Sequence, residues 1–218
     1  MTMFRKAITT AVALIAMSVA MAQNETEQLT VFPDFRPGVI HLANGKDMNN
    51  PLLNVFLKNS SLLYKHGTQT MEANMDNIIG VDFSDRKYIK VDKKLVFLVD
   101  SVGPNKLYCA TLIDVDAYQQ MLRNNRNITN IDVNNLGTSI SGDLSYTTID
   151  LAAQGDILLP VINQFYMLFE GEMIKAHERE IYRRLSKEKK RMFKTIIGEN
   201  DFSWVKAESL MKLLKAIS

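Results

Sequence analysis

Between Pro37 and Val115 the apolar residues fall into short runs, each closed by a polar turn. Val39, Ile40 and Leu42 precede the turn Ala43–Lys46, and Leu53, Val55 and Leu57 follow it at period two. That period belongs to a strand with one buried face. The turn contains Asn44-Gly45, the strongest short hairpin signal. The runs "LLNVFLK" and "LLYKHG" flank "NSS", and "NIIGVDF" and "KYIKV" flank "SDR". "KLVFLVDSV" and "KLYCATLIDV" flank Gly103-Pro104-Asn105, a further hairpin. β-branched and aromatic segments at such regular spacing predict an antiparallel meander that curls into a sandwich, roll or open barrel.

The period changes near the end of the chain. Leu210, Leu213, Leu214 and Ile217 recur at i, i+3, i+4 and i+7, which predicts a helix from about Lys206 onward. Ahead of it, Leu185, Met192, Phe193, Ile196 and Ile197 share one helical face. Ser186 is a good N-cap, Glu188 suits the positive end of the first turn, and Gly198 closes the helix. Trp204 is expected between the two helices. The fold class is therefore α+β, a meander followed by two C-terminal helices.

The middle is less regular. "DAYQQMLRNN" suits one or two helical turns capped by Asp116. A long polar loop, rich in Asn, Ser, Thr, Gly and Asp, is expected at about 124–155. "LLPVINQFYMLF", the turn "EGEM" and the return "MIKAHE" predict a last hairpin.

At the other end, Arg5 and Lys6 precede an uncharged run of sixteen residues, Ala7 to Ala22, closed by Ala20-Met21-Ala22. This is the pattern of a secretory signal peptide cleaved after Ala22. The run is shorter than the roughly 20 residues that span a membrane. The expected organisation is a signal peptide over 1–22, a loose leader over 23–35, a β-rich domain over 36–185 and a two-helix tail over 186–218. The expected location is periplasmic or secreted.

Charge adds one feature. The chain holds 26 basic and 24 acidic residues. Two basic residues leave with the signal, so 24 face 24 in the mature chain, which argues against a general nucleic-acid binder. Locally the balance breaks. Nine of the twenty residues from Lys175 to Lys194 are Lys or Arg. Arg183, Arg184, Lys187, Lys189, Lys190, Arg191 and Lys194 form a candidate electrostatic patch for an anionic surface. The competing reading is the solvated side of a helix whose apolar face is already packed.

Chemistry-bearing residues are sparse. The lone Cys109 sits in an apolar strand and reads as a core residue. His41, His66 and His177 fall in predicted strands, far apart, and none stands at metal-ligand spacing from another His or Cys. Asp76, Asp82 and Asp85 lack calcium-loop spacing and read as turn residues. There is no Gly-x-Ser-x-Gly, phosphate loop or dinucleotide fingerprint. No cofactor and no metal is expected.

Two stretches carry a resemblance: "GVIHLANGKDMNNPLLNVFLK" near the start and the last 50 or so residues, from "FYMLFEGEMIKAHE" onward. Together they resemble a recurring class of exported proteins of Bacteroidetes-type bacteria. Members share a glycine-led hairpin entry and two closing helices. Here the match runs through Leu185, Lys187, Lys190, Phe193, Trp204, Ser209 and Leu210. The resemblance implies location and fold and supplies no activity. Asp100-Ser101-Val102 resembles the Asp-Ser/Thr-aliphatic triplet that such bacteria O-glycosylate, which makes Ser101 a candidate modification site. Asn24, Asn59 and Asn127 match the eukaryotic sequon, which has no meaning in a bacterium.

Three function classes remain open. The first is a non-enzymatic exported protein that binds a partner protein or an envelope component. The second is a small-molecule or lipid carrier with a cavity in the β-unit. The third is a hydrolase whose site is scattered over several strands.

Overall fold

The computed structural model describes residues 25–26, 28–124, 138–139, 148–149 and 158–218. The expected signal peptide with its cleavage site, Asn24, Asn127 and most of the expected polar loop lie outside the described residues.

The meander is present, and it curls into a half-barrel. Its strands are β1 (Glu25–Thr26), β2 (Arg36–Leu42), β3 (Asp47–Val55), β4 (Leu62–His66), β5 (Gln69–Glu72), β6 (Ile78–Phe83), β7 (Lys87–Val91), β8 (Lys94–Val102) and β9 (Asn105–Ile113). After helix α1 (Val115–Asn124) come the two-residue strands β10 (Thr138–Ser139) and β11 (Thr148–Ile149). The long hairpin β12 (Leu159–Phe169) and β13 (Glu172–Lys175) follows. All pairs are antiparallel, in the order β1-β12-β9-β8-β7-β6-β2-β3-β4-β5-β11-β10, with β13 on the end of β12. The turns expected at Gly45 and Gly103 form there, with φ of 77° and 58°. Glycine adopts that left-handed backbone at no steric cost.

Strand order departs from chain order within the central meander where β6 follows β5. β6 does not pair with β5; it returns to the free edge of β2. The bend that results is fastened at one end by the turn after β3. Leu57 N–H donates to Leu29 O, Ile113 N–H to Leu57 O and Leu95 N–H to Ser60 O, while Ser60 Oγ donates to Leu95 O. The two halves of the sheet are thus tied through backbone groups of one turn.

The concave side is filled. Leu53, Val55, Leu62, Val81 and Leu95 are fully buried there, with Ile40, Ile78 and Tyr88 around them. Phe32, Phe83, Tyr88 and Phe97 stack edge to face along it, with centroids 4.8, 5.8 and 5.9 Å apart in turn. Arg36 and Arg86 lie over Phe32 and Phe97 at 4.4 and 4.6 Å from the ring centroids and cover one end of the curl.

The concave face continues onto β9, β12 and β13, where helices cover it. These are α2 (Glu178–Tyr182), α3 (Lys187–Ile197) and α4 (Ala207–Ile217). Phe193, Leu210, Leu213, Leu214 and Ile217 are fully buried against Leu107, Cys109, Phe165, Met167 and Phe169. Ser186 caps α3 as its sequence predicts, accepting from Lys189 N–H at 3.3 Å. Trp204 meets Phe193 at 6.3 Å and Phe202 at 5.0 Å. No helix among the described residues is long and apolar enough to cross a membrane.

Several local expectations change. Leu29, Thr30 and Phe32, expected in a loose leader, are buried. The segment runs antiparallel to the end of β3, with Val31 N–H donating to Val55 O at 2.9 Å. Asp114, not Asp116, caps α1, its Oδ1 accepting from Ala117 N–H at 2.9 Å. Met192 is 42% exposed, because α4 packs on the Phe193–Ile196 side of α3 and leaves the neighbouring position in solvent. His177 is not in a strand: it is the N-cap of α2 and stacks on Trp204.

Candidate binding cleft

A cleft opens beside the curl of the sheet. Three turns meet there: the one after β3, the one after β5 and the β7–β8 hairpin. They enclose a cleft of about 720 Å³. Turns build most of its lining, so polar turn residues stand there beside the apolar Ala73 and Met75. Asn59 and Ser61 come from the first turn, Glu72, Asn74 and Asp76 from the second, and Asp92, Lys93 and Lys94 from the third. Tyr64 on β4 is the one aromatic residue in the wall among the described residues.

Much of this lining is held in place by its own contacts. Asn59 Nδ2 donates to Glu72 Oε1 at 2.6 Å, and Asn59 Oδ1 accepts from Ser61 N–H at 3.1 Å. Asn74 Oδ1 accepts from Asp76 N–H at 2.9 Å. Lys90, beside the cleft, donates from Nζ to Met75 O and Asp76 O at 2.8 and 3.1 Å. Lys93 pairs with Asp76 at 3.0 Å, and Lys94 donates to Gln164 Oε1 at 3.0 Å. The backbone is also special here. Ser60, Asp92 and Lys93 adopt φ of 57°, 48° and 65°, a region where side chains other than Gly, Asn and Asp are uncommon. The two Ser60–Leu95 hydrogen bonds hold the first of these.

One group in the lining is left over. Ser61 is 2% exposed, and its Oγ has no hydrogen-bond partner among the described residues. A buried hydroxyl without a partner is uncommon, since the great majority are satisfied by protein or water. Its loss of hydration costs about 1–3 kcal/mol unless a partner arrives.

No protein-family model, curated protein or solved structure matches this chain.

Of the residues singled out from sequence, Asn59 and Asp76 stand in the lining, while the basic patch, Ser101 and Cys109 lie elsewhere. Arg183 and Arg184 are not on the basic helix; they follow α2. Arg184 pairs with Glu172 at 2.9 Å and Glu180 at 3.1 Å, and Arg183 pairs with Glu180 at 2.6 Å. Lys187, Lys189, Lys190, Arg191 and Lys194 stand on α3. Lys189 donates to Ser218 O at 3.1 Å, and Lys190 and Lys194 lie over the Tyr182 ring at 4.9 and 5.5 Å. Intramolecular partners thus engage part of the patch, and the apolar side of α3 is docked. Ser101 is exposed, next to the Gly103 turn. Cys109 is buried, and burial pushes its thiol up to about 12, far from the thiolate that a nucleophile needs.

Of the three histidines, His41 has acidic neighbours. Its Nδ1 is 2.7 Å from Asp47 Oδ1 and its Nε2 is 3.5 Å from Asp82 Oδ1, while Lys87 pairs with Asp82 at 3.0 Å. The Asp47 hydrogen bond, with the charges of Asp47 and Asp82, raises the imidazole above its ordinary value against a smaller opposing effect of burial. Both ring nitrogens are engaged by carboxylates, so this is an ion-pair array and not a base aimed at a nucleophile. It has a consequence for pH. Because the folded value is raised, the array stabilises the protein fully below about pH 6.5. The contribution is lost as pH rises through the folded value. For a pair this exposed the effect stays below about 1 kcal/mol. Urea melts from about pH 5.5 to 8.5 should show this slope in the wild type and its loss in His41→Asn. Equal slopes would rule it out.

Proposed function

We propose that the protein is exported and works by binding, not by catalysis, holding a component of the cell envelope or an extracellular partner in the cleft beside Ser61. The observation that carries this reading is the buried, unpartnered Ser61 hydroxyl in the lining of an open cleft walled by amides, carboxylates and lysines. Such a wall offers many hydrogen bonds of both senses. It contains no nucleophile paired with a base, so it favours recognition over a hydrolase. A carrier that encloses a lipid inside the β-unit finds less support, because fully buried side chains occupy the interior of the curl. Export rests on the pattern of residues 1–22.

The test is retention. The full chain, tagged and expressed in its own cell, is purified from the envelope fraction beside a Ser61→Ala variant. Removing an unsatisfied hydroxyl leaves no new group unpaired, so the variant should melt at the same temperature as the wild type or slightly higher. It should nevertheless retain less of its envelope component. Equal retention by the two proteins would overturn the cleft as the binding site.

A further inference from the structure

We infer that the ligand class of the cleft is carbohydrate, an uncharged glycan of the envelope or its surroundings. This deepens the binding role proposed for the cleft and rests on it.

The charges in the lining favour a neutral ligand. Glu72, Asp76 and Asp92 face Lys93 and Lys94 in the lining, so carboxylates and ammoniums nearly balance. The Asp76–Lys93 pair at 3.0 Å neutralises one of each. An anion such as a phosphate ester would meet the remaining carboxylates, and a simple cation would meet the lysine. A neutral ligand avoids both costs.

The lining mixes hydrogen-bond donors and acceptors. Carboxylates only accept and ammoniums only donate, while the Ser61 hydroxyl does either. A ligand hydroxyl also does either, so a polyhydroxylated molecule can satisfy all three kinds of group from one face. The Ser61 hydroxyl is closed to solvent in this structure, so it gains its missing partner when the Asn59–Ser61 turn shifts on binding and uncovers it to a ligand hydroxyl.

Tyr64 gives the wall one flat apolar surface with a polar tip. A sugar ring has the matching combination of an apolar C–H face and a rim of hydroxyls. The volume of about 720 Å³ lies within the range of small-molecule sites. A second cleft of about 390 Å³ shares Tyr64, Ala73 and Asn74 with the first. Tyr64 therefore borders both clefts.

The experiment uses the full chain purified from its own cell, with polysaccharide extracted from that envelope as the probe. One portion of the polysaccharide is left intact, and one is oxidised with periodate, which cleaves the vicinal diols of sugars. Vesicles containing phosphatidylglycerol serve as the lipid control. The wild type should bind the intact polysaccharide, lose binding after periodate and ignore the vesicles. Ser61→Ala and Tyr64→Leu should each weaken binding by about three- to tenfold. A change in melting temperature of Tyr64→Leu reports any loss of packing separately, and Ser61→Ala remains as the variant that keeps the fold. Failure to bind the intact polysaccharide, or binding to the vesicles alone, overturns the carbohydrate class. Binding that survives periodate but falls in Ser61→Ala also overturns the class and leaves the cleft standing. Binding that survives both periodate and Ser61→Ala overturns class and cleft together.

Discussion

A chain ended at Ser186 should not fold. Helices α3 and α4 place Phe193, Leu210, Leu213, Leu214 and Ile217 at full burial. Each such side chain contributes about 1.5–3 kcal/mol on burial. The five together contribute about 7–15 kcal/mol, as much as the whole margin of about 5–15 kcal/mol that keeps a typical domain folded. Truncation also uncovers Leu107, Phe165, Met167 and Phe169 on the sheet, an apolar surface that invites aggregation. The single substitution Phe193→Ala isolates the central contact. Phe193 touches Tyr182 at 5.7 Å and Trp204 at 6.3 Å, between the ring centroids. Its loss should cost about 3–5 kcal/mol, measured by urea unfolding of the full chain. A truncated protein that melts cooperatively at the wild-type temperature would show the tail to be an appendage.

Local features were legible in the sequence because local physics decides them. The four apolar positions of α4 lie on one face by helical period alone, and Ser186 caps α3 whatever packs above it. The hairpin turns at Gly45 and Gly103 follow from a backbone that glycine adopts most readily. The errors occur where a partner distant in sequence decides. His177 sits in a stretch that reads as a strand, yet the chain has already turned toward α2 and Trp204. Met192 and Phe193 are equally apolar; the position of α4 buries one and exposes the other. The return of β6 to β2 left no mark in the period-two pattern, which is the same for any neighbour.

The cleft was illegible for a related reason. Asn59, Ser61, Asn74, Asp76 and Asp92 are turn residues, and turn chemistry alone explains each of them. What makes them a site is the curl of the sheet, which brings three turns together. The one local signal is the second Ser of "NSS", placed directly before the buried pair Leu62 and Leu63. A polar residue beside two core positions is ordinary. Its lack of a hydrogen-bond partner is visible only in three dimensions.

The same distinction governs Asn54, which sequence gave no reason to single out. It lies within "LLNVF" and is fully buried. Its Oδ1 accepts from Phe32 N–H at 3.1 Å and Val55 N–H at 2.8 Å. Its Nδ2 donates to Phe32 O at 2.9 Å and Asp34 O at 3.3 Å. One amide thus pins the segment ahead of β2 to β3. In Asn54→Ala, the Phe32 and Val55 N–H groups lose this acceptor, at about 1–3 kcal/mol each, while the Phe32 carbonyl keeps the Thr30 hydroxyl as a donor. The expected loss is about 2–5 kcal/mol, with the Leu29–Phe32 segment becoming sensitive to protease before the rest of the chain unfolds. Asn54→Asp tests the chemistry at constant shape. The oxygen that replaces Nδ2 faces two carbonyl oxygens, so the ionised form is disfavoured and the folded carboxyl titrates above its unfolded value of about 3.9. While protonated it can still donate to Phe32 O, so below that value the variant should come closest to the wild type. As pH rises from there through the raised folded value, the unfolded state releases its proton first and the variant loses stability relative to the wild type. The measurement is the difference in unfolding free energy between variant and wild type from about pH 3.5 to 7.5. A difference that stays constant across that range, or an Asn54→Ala protein within about 0.5 kcal/mol of wild type, would show that the amide pins nothing.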